Sequence, residues 1–234
     1  MKMLLLVLAL LLPSVAAAEP NPDFVEIKGG VPVTVRPDRA YILFRSVKGR
    51  GVLVADPVFM REPVDGEYKG PPNLARTHGG NRYTEGADED SYLIEVRPGS
   101  YVIVGLSDKA LGDTETCMCM GTMRFEAKAG VITDLGHVVT DRVDQPSSLP
   151  ELRAVTGRGG RINGLLFLLV ATIRPDAQTA SVPGPLQGLP RVPADFRAVG
   201  KFRNTFAQTV NRMAAIPGIL GYDEDRVIDL RMGQ

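Results

Sequence analysis

The first half of the chain alternates apolar and polar residues with a period of two, which is typical of β-strands that bury one face. The pattern is present at Val31–Val35, Tyr41–Val47 and Val52–Met60. The residues Lys48 to Gly51 separate the last two segments and predict a turn. Residues 61–90 are rich in Gly, Pro, Asp and Glu and have no apolar period. We therefore predict a long surface loop there.

Two further segment pairs have the pattern of β-hairpins. Ser91–Arg97 and Tyr101–Leu106 flank a Pro-Gly turn. Thr116–Ala127 and Val131–Val139 flank a turn that ends in Gly130. Many short strands with turn signals between them predict a mainly β protein, an antiparallel β-sandwich of transthyretin or immunoglobulin type.

The pattern divides the chain into a sandwich domain over residues 19–145 and an irregular, partly helical C-terminal extension over residues 146–234. The four prolines of residues 181–193 predict a stiff extended connector. A short helix is expected to start at Pro193–Phe196, because proline is favoured in the first helical turn. The extension is expected to pack on the sandwich or flank it.

Two other parts of the extension have regular patterns. Residues 165–173 form an apolar run too short for its period to distinguish a buried helix from a core strand. The segment Ile219–Leu230 has the pattern of two short strands around an acidic turn that begins at Asp223.

The N-terminus has the layout of a secretory signal peptide over residues 1–18. Lys2 precedes the apolar run Leu4–Leu12, and Ala16–Ala18 provides a small-residue cleavage site. The run is far shorter than the roughly 20 residues that span a bilayer, so no transmembrane segment is expected in the mature chain. We therefore expect an exported protein, periplasmic or extracellular if the source is bacterial.

The net charge of the chain bears on which partners are expected. The chain has 27 Lys and Arg against 27 Asp and Glu, a formal net charge of +0. Without a basic excess, nucleic acid is not an expected partner. No cofactor loop or nucleophile motif is present, so an enzyme is the less favoured class and no cofactor is expected.

The sulfur-rich segment around Cys117 and Cys119 is the main candidate for chemistry. In a continuous strand from residue 117 to 125, one face is uniformly small or apolar: Cys117, Cys119, Gly121, Met123 and Phe125. This pattern favours two cysteines packed in the core. Two alternatives stay open: a disulfide between the cysteines, or a soft-metal site for Cu(I) with His137 as a third ligand.

The remaining polar motifs predict solvated loops. His78 lies in the predicted loop, and its His-Gly-Gly sequence has no G-x-S-x-G partner that would indicate a hydrolase. The acidic clusters at residues 85–90 and 223–229 lack a calcium-loop pattern.

The sequences SYLIEVRPGSYVIVG and FEAKAGVITDLGHV carry a family resemblance. Their Pro-Gly turn, aromatic strand start and F-x-x-x-A-G hairpin resemble bacterial exported β-sandwich proteins of carboxypeptidase-regulatory or transthyretin-like type. The resemblance implies a fold and an exported setting but no catalytic residues. We therefore expect a non-enzymatic binding or structural module of the cell envelope, with an envelope protein or other ligand as partner. The alternative is copper or thiol redox handling at Cys117 and Cys119.

Overall fold

A computed structural model describes residues 24–47, 56–61, 74–76, 82–86, 88–108, 114–142, 169–174, 182–204, 207 and 209–233. The predicted leader at residues 1–18 lies outside this part of the chain, as does His78. The described residues form sixteen strands. Ten precede residue 145: β1 (Phe24–Ile27), β2 (Ala40–Val47), β3 (Asp56–Arg61), β4 (Leu74–Arg76), β5 (Thr84–Glu85), β6 (Glu89–Val96), β7 (Gly99–Asp108), β8 (Thr114–Cys117), β9 (Thr122–Ala127) and β10 (Ile132–Arg142). Six follow: β11 (Leu169–Arg174), β12 (Arg191–Pro193), β13 (Arg197–Val199), β14 (Thr209–Val210), β15 (Leu220–Asp223) and β16 (Arg226–Asp229).

The strands form two seven-stranded sheets and one two-stranded hairpin. The first sheet has the order β1-β6-β2-β10-β11, with β5 beside β6 and β12 beside β10. The second has the order β13-β9-β7-β3-β4, with β8 beside β7 and β14 beside β8. The mainly β class is thus confirmed. The expected antiparallel arrangement holds for most of the described strand pairs but not for all, because β10 runs parallel to β2 and β12, and β14 runs parallel to β8.

The two predicted hairpins contain real strands, but the strands do not pair with each other. Strand β6 belongs to the first sheet and β7 to the second, and the same holds for β10 and β9. In the first case β6 already has β1 and β2 as lateral neighbours, so no edge is left for β7. A tight turn therefore sends the chain from one sheet to the other.

A central core contains buried side chains from both large sheets. The first sheet contributes Phe44 and Tyr92, whose stacked rings lie 5.0 Å apart between centroids. The second contributes Phe59 and Phe125, edge to face at 6.1 Å. Phe196 from the C-terminal part also contacts Phe125, so that part belongs to the same core.

A second, smaller core lies on the opposite face of the first sheet; we call it the outer core. Tyr41, Leu43 and Leu93 alternate with residues of the central core and therefore point the other way. Side chains from an N-terminal and a C-terminal segment pack over them, among them Val33 and Leu186. Strands β2 and β6 are consequently buried on both faces.

The C-terminal part differs from the sequence expectation. Strands β11 and β12 join the first sheet, and β13 and β14 join the second. The predicted helix at Pro193–Phe196 is wrong: Ala194 N donates to Asp134 O at 2.8 Å, and Phe196 is buried in the central core. Within the described C-terminal residues the helical structure is limited to a 3-10 turn at Gly184–Leu186.

Of the apolar run at residues 165–173, the part that the structure describes is a strand, since β11 begins at Leu169. Residues 165–168 lie outside the described part. The predicted pair of strands around the turn at Asp223 is confirmed by β15 and β16. Across the part of the chain that the structure describes, no helix is long and apolar enough to cross a membrane.

The long loop predicted at residues 61–90 is wrong in part. Strands β4 and β5 lie inside it, and Tyr83 is buried in the outer core. Tyr83 N donates to Ser91 O at 2.8 Å, and Thr84 pairs with Ser91. Backbone pairing to β6 thus orders a polar segment that has no apolar period.

Candidate functional site

An open groove of about 440 Å³ lies over the outer core and separates the two segments that cover it. Its lining residues are mostly aliphatic: Val33, Thr34, Val35, Pro37, Gly130, Leu189 and Pro190. Residues 33–37 form one wall, which we call the N-terminal wall. Leu189 and Pro190 form the other, the C-terminal wall. Apolar walls with polar groups near the rim are typical of ligand-binding grooves.

The Tyr41 hydroxyl holds the N-terminal wall in place. Arg36 N donates to this oxygen at 3.1 Å. The single hydroxyl proton has two acceptors within 3.2 Å, Thr34 O and Glu95 Oε2. Tyr41 itself is fixed in the outer core, 1% exposed. The wall is therefore tied to the first sheet through its backbone, and Val33 and Val35 add apolar contacts.

Two arginines complete this anchor on the rim of the groove. Glu95 accepts from Arg39 Nε at 3.0 Å and also from Arg36. A hydrogen bond with Tyr41 and the charge of Glu95 raise the pKa of Arg36 above its ordinary value. The Arg36 side chain remains 52% exposed, so it keeps one face toward solvent beside the groove.

The C-terminal wall is held by the turn that precedes β12. Leu189 N donates to Leu186 O at 3.2 Å, and Pro190 O accepts from Ile132 N at 2.8 Å. Immediately after the wall, Arg191 Nη1 reaches Asp134 Oδ2 at 2.6 Å. Both walls are therefore fixed to strands of the first sheet.

Asp134 is the centre of a buried ion network below the C-terminal wall. Its carboxylate accepts from Arg45 Nη2 at 3.0 Å and from Arg45 Nη1 at 3.3 Å, and both side chains are 0% exposed. Gly136 N adds a bond at 2.9 Å, at a bulge in β10 where Gly136 has φ 86°. Because a buried charge is costly unless paired, this network fixes where Arg191 and the wall can sit.

Arg45 and Asp134 were not among the predicted functional residues, although the sequence contains a signal for them. Arg45 stands inside YILFRSV and Asp134 inside VITDLGHVV, each a charge in an otherwise apolar strand. Charges in fully buried strands are expected in opposite-sign pairs. Pairing the two charges would have placed β2 beside β10.

The sulfur-rich segment is buried as expected, but it is not a continuous strand. Strand β8 ends at Cys117, and Gly121 N donates to Met118 O at 3.2 Å in the turn that follows. Cys117 and Cys119 form a disulfide with their Cα atoms 5.2 Å apart, and they are 0% and 2% exposed. The turn brings the Cα atoms closer than the roughly 6.6 Å of a regular strand. Both cysteines are therefore in the core as predicted, and of the two alternatives left open, the disulfide is the one that the structure contains.

The bridged turn anchors the C-terminal segment through its backbone. Cys117 O accepts from Asn211 N at 2.7 Å, and Met120 N donates to Asn211 O at 3.2 Å. Cys119 O accepts from Phe202 N at 2.9 Å. The disulfide thus stabilises the turn to which Phe202 and Asn211 are bonded.

His137 is not brought to the cysteines. It lies on β10 in the first sheet, with Nε2 at 2.5 Å from Glu89 Oε2, whereas β8 belongs to the second sheet. Within the described ranges, no three His, Cys, Asp or Glu side chains are grouped as a metal site. The proposed third ligand is thus engaged elsewhere in this structure.

The acidic clusters pair with neighbouring cations. Arg82 contacts Glu85 and Asp90, each at 3.0 Å. Lys201 pairs with Asp225 and lowers the pKa of that exposed carboxyl. These carboxylates therefore have local partners.

Comparison with known proteins adds no assignment. No protein-family model, curated protein or solved structure matches the chain.

Proposed function

We propose that this protein is an exported, non-enzymatic binding module of the cell envelope, and that the groove is its ligand site. The observation that carries the proposal is an apolar groove whose two walls are separately fixed to one sheet. We further propose that the two large sheets form a β-sandwich of transthyretin or immunoglobulin type, which would present this groove on its outer face.

The walls suit a binding site because they are pre-formed. Tyr41 anchors one wall and the Asp134 network anchors the other. A ligand that enters a pre-formed apolar groove loses water from aliphatic surface without the cost of ordering the site. Apolar lining together with fixed walls therefore favours recognition of an apolar group.

The ionisable groups near the groove support binding rather than chemistry. Arg36, Arg39 and Glu95 are bonded to each other or to Tyr41 in the anchor of the N-terminal wall. Asp134 accepts from two arginines and a backbone amide. These contacts assign the groups a positioning role.

Export rests on the leader pattern at residues 1–18 and agrees with the disulfide. Disulfides persist in oxidising compartments such as the periplasm and the cell exterior. The bridge between Cys117 and Cys119 fits that setting.

Site-specific photocrosslinking in intact cells of the source organism tests the proposal. A photoreactive phenylalanine replaces Thr34, an exposed residue of the N-terminal wall, and a matched variant carries it at exposed Arg226 on the β15–β16 hairpin. We expect a discrete adduct from position 34 that is absent from position 226. Identical adduct patterns from both positions, or none from position 34, would refute the groove as the ligand site.

Thiol redox handling remains a second candidate because Cys117 and Cys119 form a disulfide separated by one residue. Its test is the reduction of the native protein by dithiothreitol, followed by thiol counting and copper analysis. Rapid appearance of two thiols under native conditions, or stoichiometric copper after reduction, would favour this function. Because both cysteines are buried, the binding proposal expects reduction to require unfolding.

A further inference from the structure

The N-terminal wall has an unused backbone edge. Residues 32–36 run without a bend or turn, and burial alternates so that Val33 and Val35 point inward while Thr34 points outward. The sequence predicts a strand here, yet the segment belongs to neither large sheet. It has the form of a strand without a partner among the described residues.

The bonds to Tyr41 reveal which way the peptide groups point. The N–H and C=O of one residue in an extended chain project to the same side, and successive residues alternate sides. Thr34 O and Arg36 N both bond to the Tyr41 hydroxyl. The N–H and C=O groups of Val33 and Val35 therefore project to the opposite side of the segment.

None of these four groups is used within the described part of the chain. Val33 and Val35 form no hydrogen bond there through N–H or C=O. Both residues also line the groove. The N-terminal wall thus offers two donors and two acceptors at strand spacing, on residues that line the groove.

We propose that the ligand is an extended peptide segment of a partner protein, which adds as a strand along Val33–Val35. This inference rests on the proposed function and names its ligand class. In antiparallel pairing, a residue opposite Val33 and another opposite Val35 each exchange two backbone hydrogen bonds with the wall. Strand addition of this kind takes its affinity from main-chain bonds and its specificity from alternate side chains.

The groove then defines the side-chain pattern of the peptide. Paired residues on adjacent strands share a face, so the residues opposite Val33 and Val35 point inward over the outer core, as these valines do. The residue between them points to solvent beside Thr34. The structure therefore predicts an apolar–x–apolar peptide.

The added strand is limited at both ends. Pro37, on the same side as Val33 and Val35 in the alternation, has no N–H to donate, and the chain bends at Val31. Prolines at an exposed edge also restrict uncontrolled pairing. Recognition is thus confined to about three peptide residues beside Val33–Val35.

The test begins with a random heptapeptide display library selected on the immobilised full chain. The best peptide is then synthesised with and without N-methyl groups on the two alternate amides that would face the wall. Two protein variants are compared: Val35→Pro removes a donor on the side of Val33 and Val35, and Gly200→Ala, where an added Cβ meets nothing within 4 Å, is the control outside the groove lining. Affinity is measured by fluorescence anisotropy, and amide hydrogen exchange reports on the wall itself.

We expect enrichment of apolar–x–apolar peptides, at least tenfold weaker binding after N-methylation, and at least tenfold weaker binding to Val35→Pro. Gly200→Ala should bind within about threefold of the unchanged protein. The amides of Val33 and Val35 should exchange at least tenfold more slowly in the complex. If Val35→Pro does not fold, the N-methylated peptide still decides the question, because it leaves the protein unaltered.

Other outcomes overturn the inference, and they separate it from the proposed function. Peptides or small apolar molecules that bind the groove irrespective of N-methylation would refute strand addition and leave the binding function intact. Self-association through Val33–Val35, without peptide binding, would assign the edge to a second copy of this chain. No enriched peptide together with no adduct from position 34 would refute both.

Discussion

Replacement of Gly121 by alanine should be among the most damaging small substitutions in this protein. A Cβ at position 121 would lie 2.7 Å from Tyr222 Cε1, 2.8 Å from Tyr222 Oη and 3.0 Å from Val227 Cγ2. Tyr222 cannot readily move away, because its hydroxyl donates to Met213 O at 2.7 Å and its ring lies 4.2 Å from the guanidinium carbon of Arg212. Gly121 also has φ 152°, a backbone conformation that L-residues with a side chain rarely adopt.

The expected cost has two parts. Overpacking of a buried site typically costs about 1–3 kcal/mol. An unfavourable backbone conformation for a residue with Cβ costs about 1–3 kcal/mol more. Gly121→Ala should therefore lower the free energy of unfolding by about 2–6 kcal/mol.

Urea unfolding followed by circular dichroism measures this loss, since the chain contains no tryptophan. Gly200→Ala is the control: a Cβ there meets nothing within 4 Å, so its effect should stay within about 0.5 kcal/mol. A double-mutant cycle with Tyr222→Ala should remove the steric part and leave the backbone part. An equal loss with and without the tyrosine ring, or a loss under about 1 kcal/mol, would refute the reasoning.

Three further outcomes follow from buried groups. Replacing both Cys117 and Cys119 by serine should lower the free energy of urea unfolding by about 1.6 kcal/mol, the chain-entropy value for a three-residue loop. An unchanged free energy of unfolding would contradict the presence of a disulfide in the folded protein. Asp134→Asn should lower the free energy of unfolding by about 3–5 kcal/mol, because it removes the negative charge that pairs with buried Arg45. Asp195→Asn, at a largely exposed pair, should lower it by less than about 1 kcal/mol. Similar losses from the two variants would contradict the greater importance of the buried ion network. Burial raises the pKa of Tyr222, so its stabilising contribution should be complete below pH about 10, the unfolded value, and fall by about 1.4 kcal/mol per pH unit above it; unfolding measurements against Tyr222→Phe should show a shallower alkaline loss in the variant.

Strand positions followed from local pattern, whereas strand partners did not. The alternation at Tyr41–Val47 and the turn chemistry at Pro98-Gly99 located strand ends within a few residues. The same turn chemistry suggested a hairpin, because it indicates a reversal of the chain but not whether the next strand lies beside or across from the previous one. The lateral neighbours of β6 decide that, and they come from residues 24–27 and 40–47.

The groove could not be predicted from the sequence pattern, for a similar reason. Its walls come from residues 33–37 and 189–190, which only the outer core brings together. Each wall had a visible local signal, alternation in VPVTV and prolines in the connector. The sulfur-rich segment is a different case. Its burial was predicted correctly from its composition. The continuous strand predicted for residues 117–125 was not found, because the turn at Gly121 that permits the disulfide interrupts it.

The passage of the chain between sheets has a consequence for how the protein forms. Because β6 and β7 do not pair, and neither do β9 and β10, these consecutive strands cannot nucleate folding as local hairpins. Some of their main partners are distant along the chain, since β6 pairs with β1 and β2, and β10 pairs with β2. Topologies rich in such non-local pairs fold in milliseconds to seconds. The first sheet in particular needs residues 191–193 before it is complete. During synthesis the apolar faces of its earlier strands are therefore expected to stay exposed until most of the polypeptide has been made and the sheet can be completed.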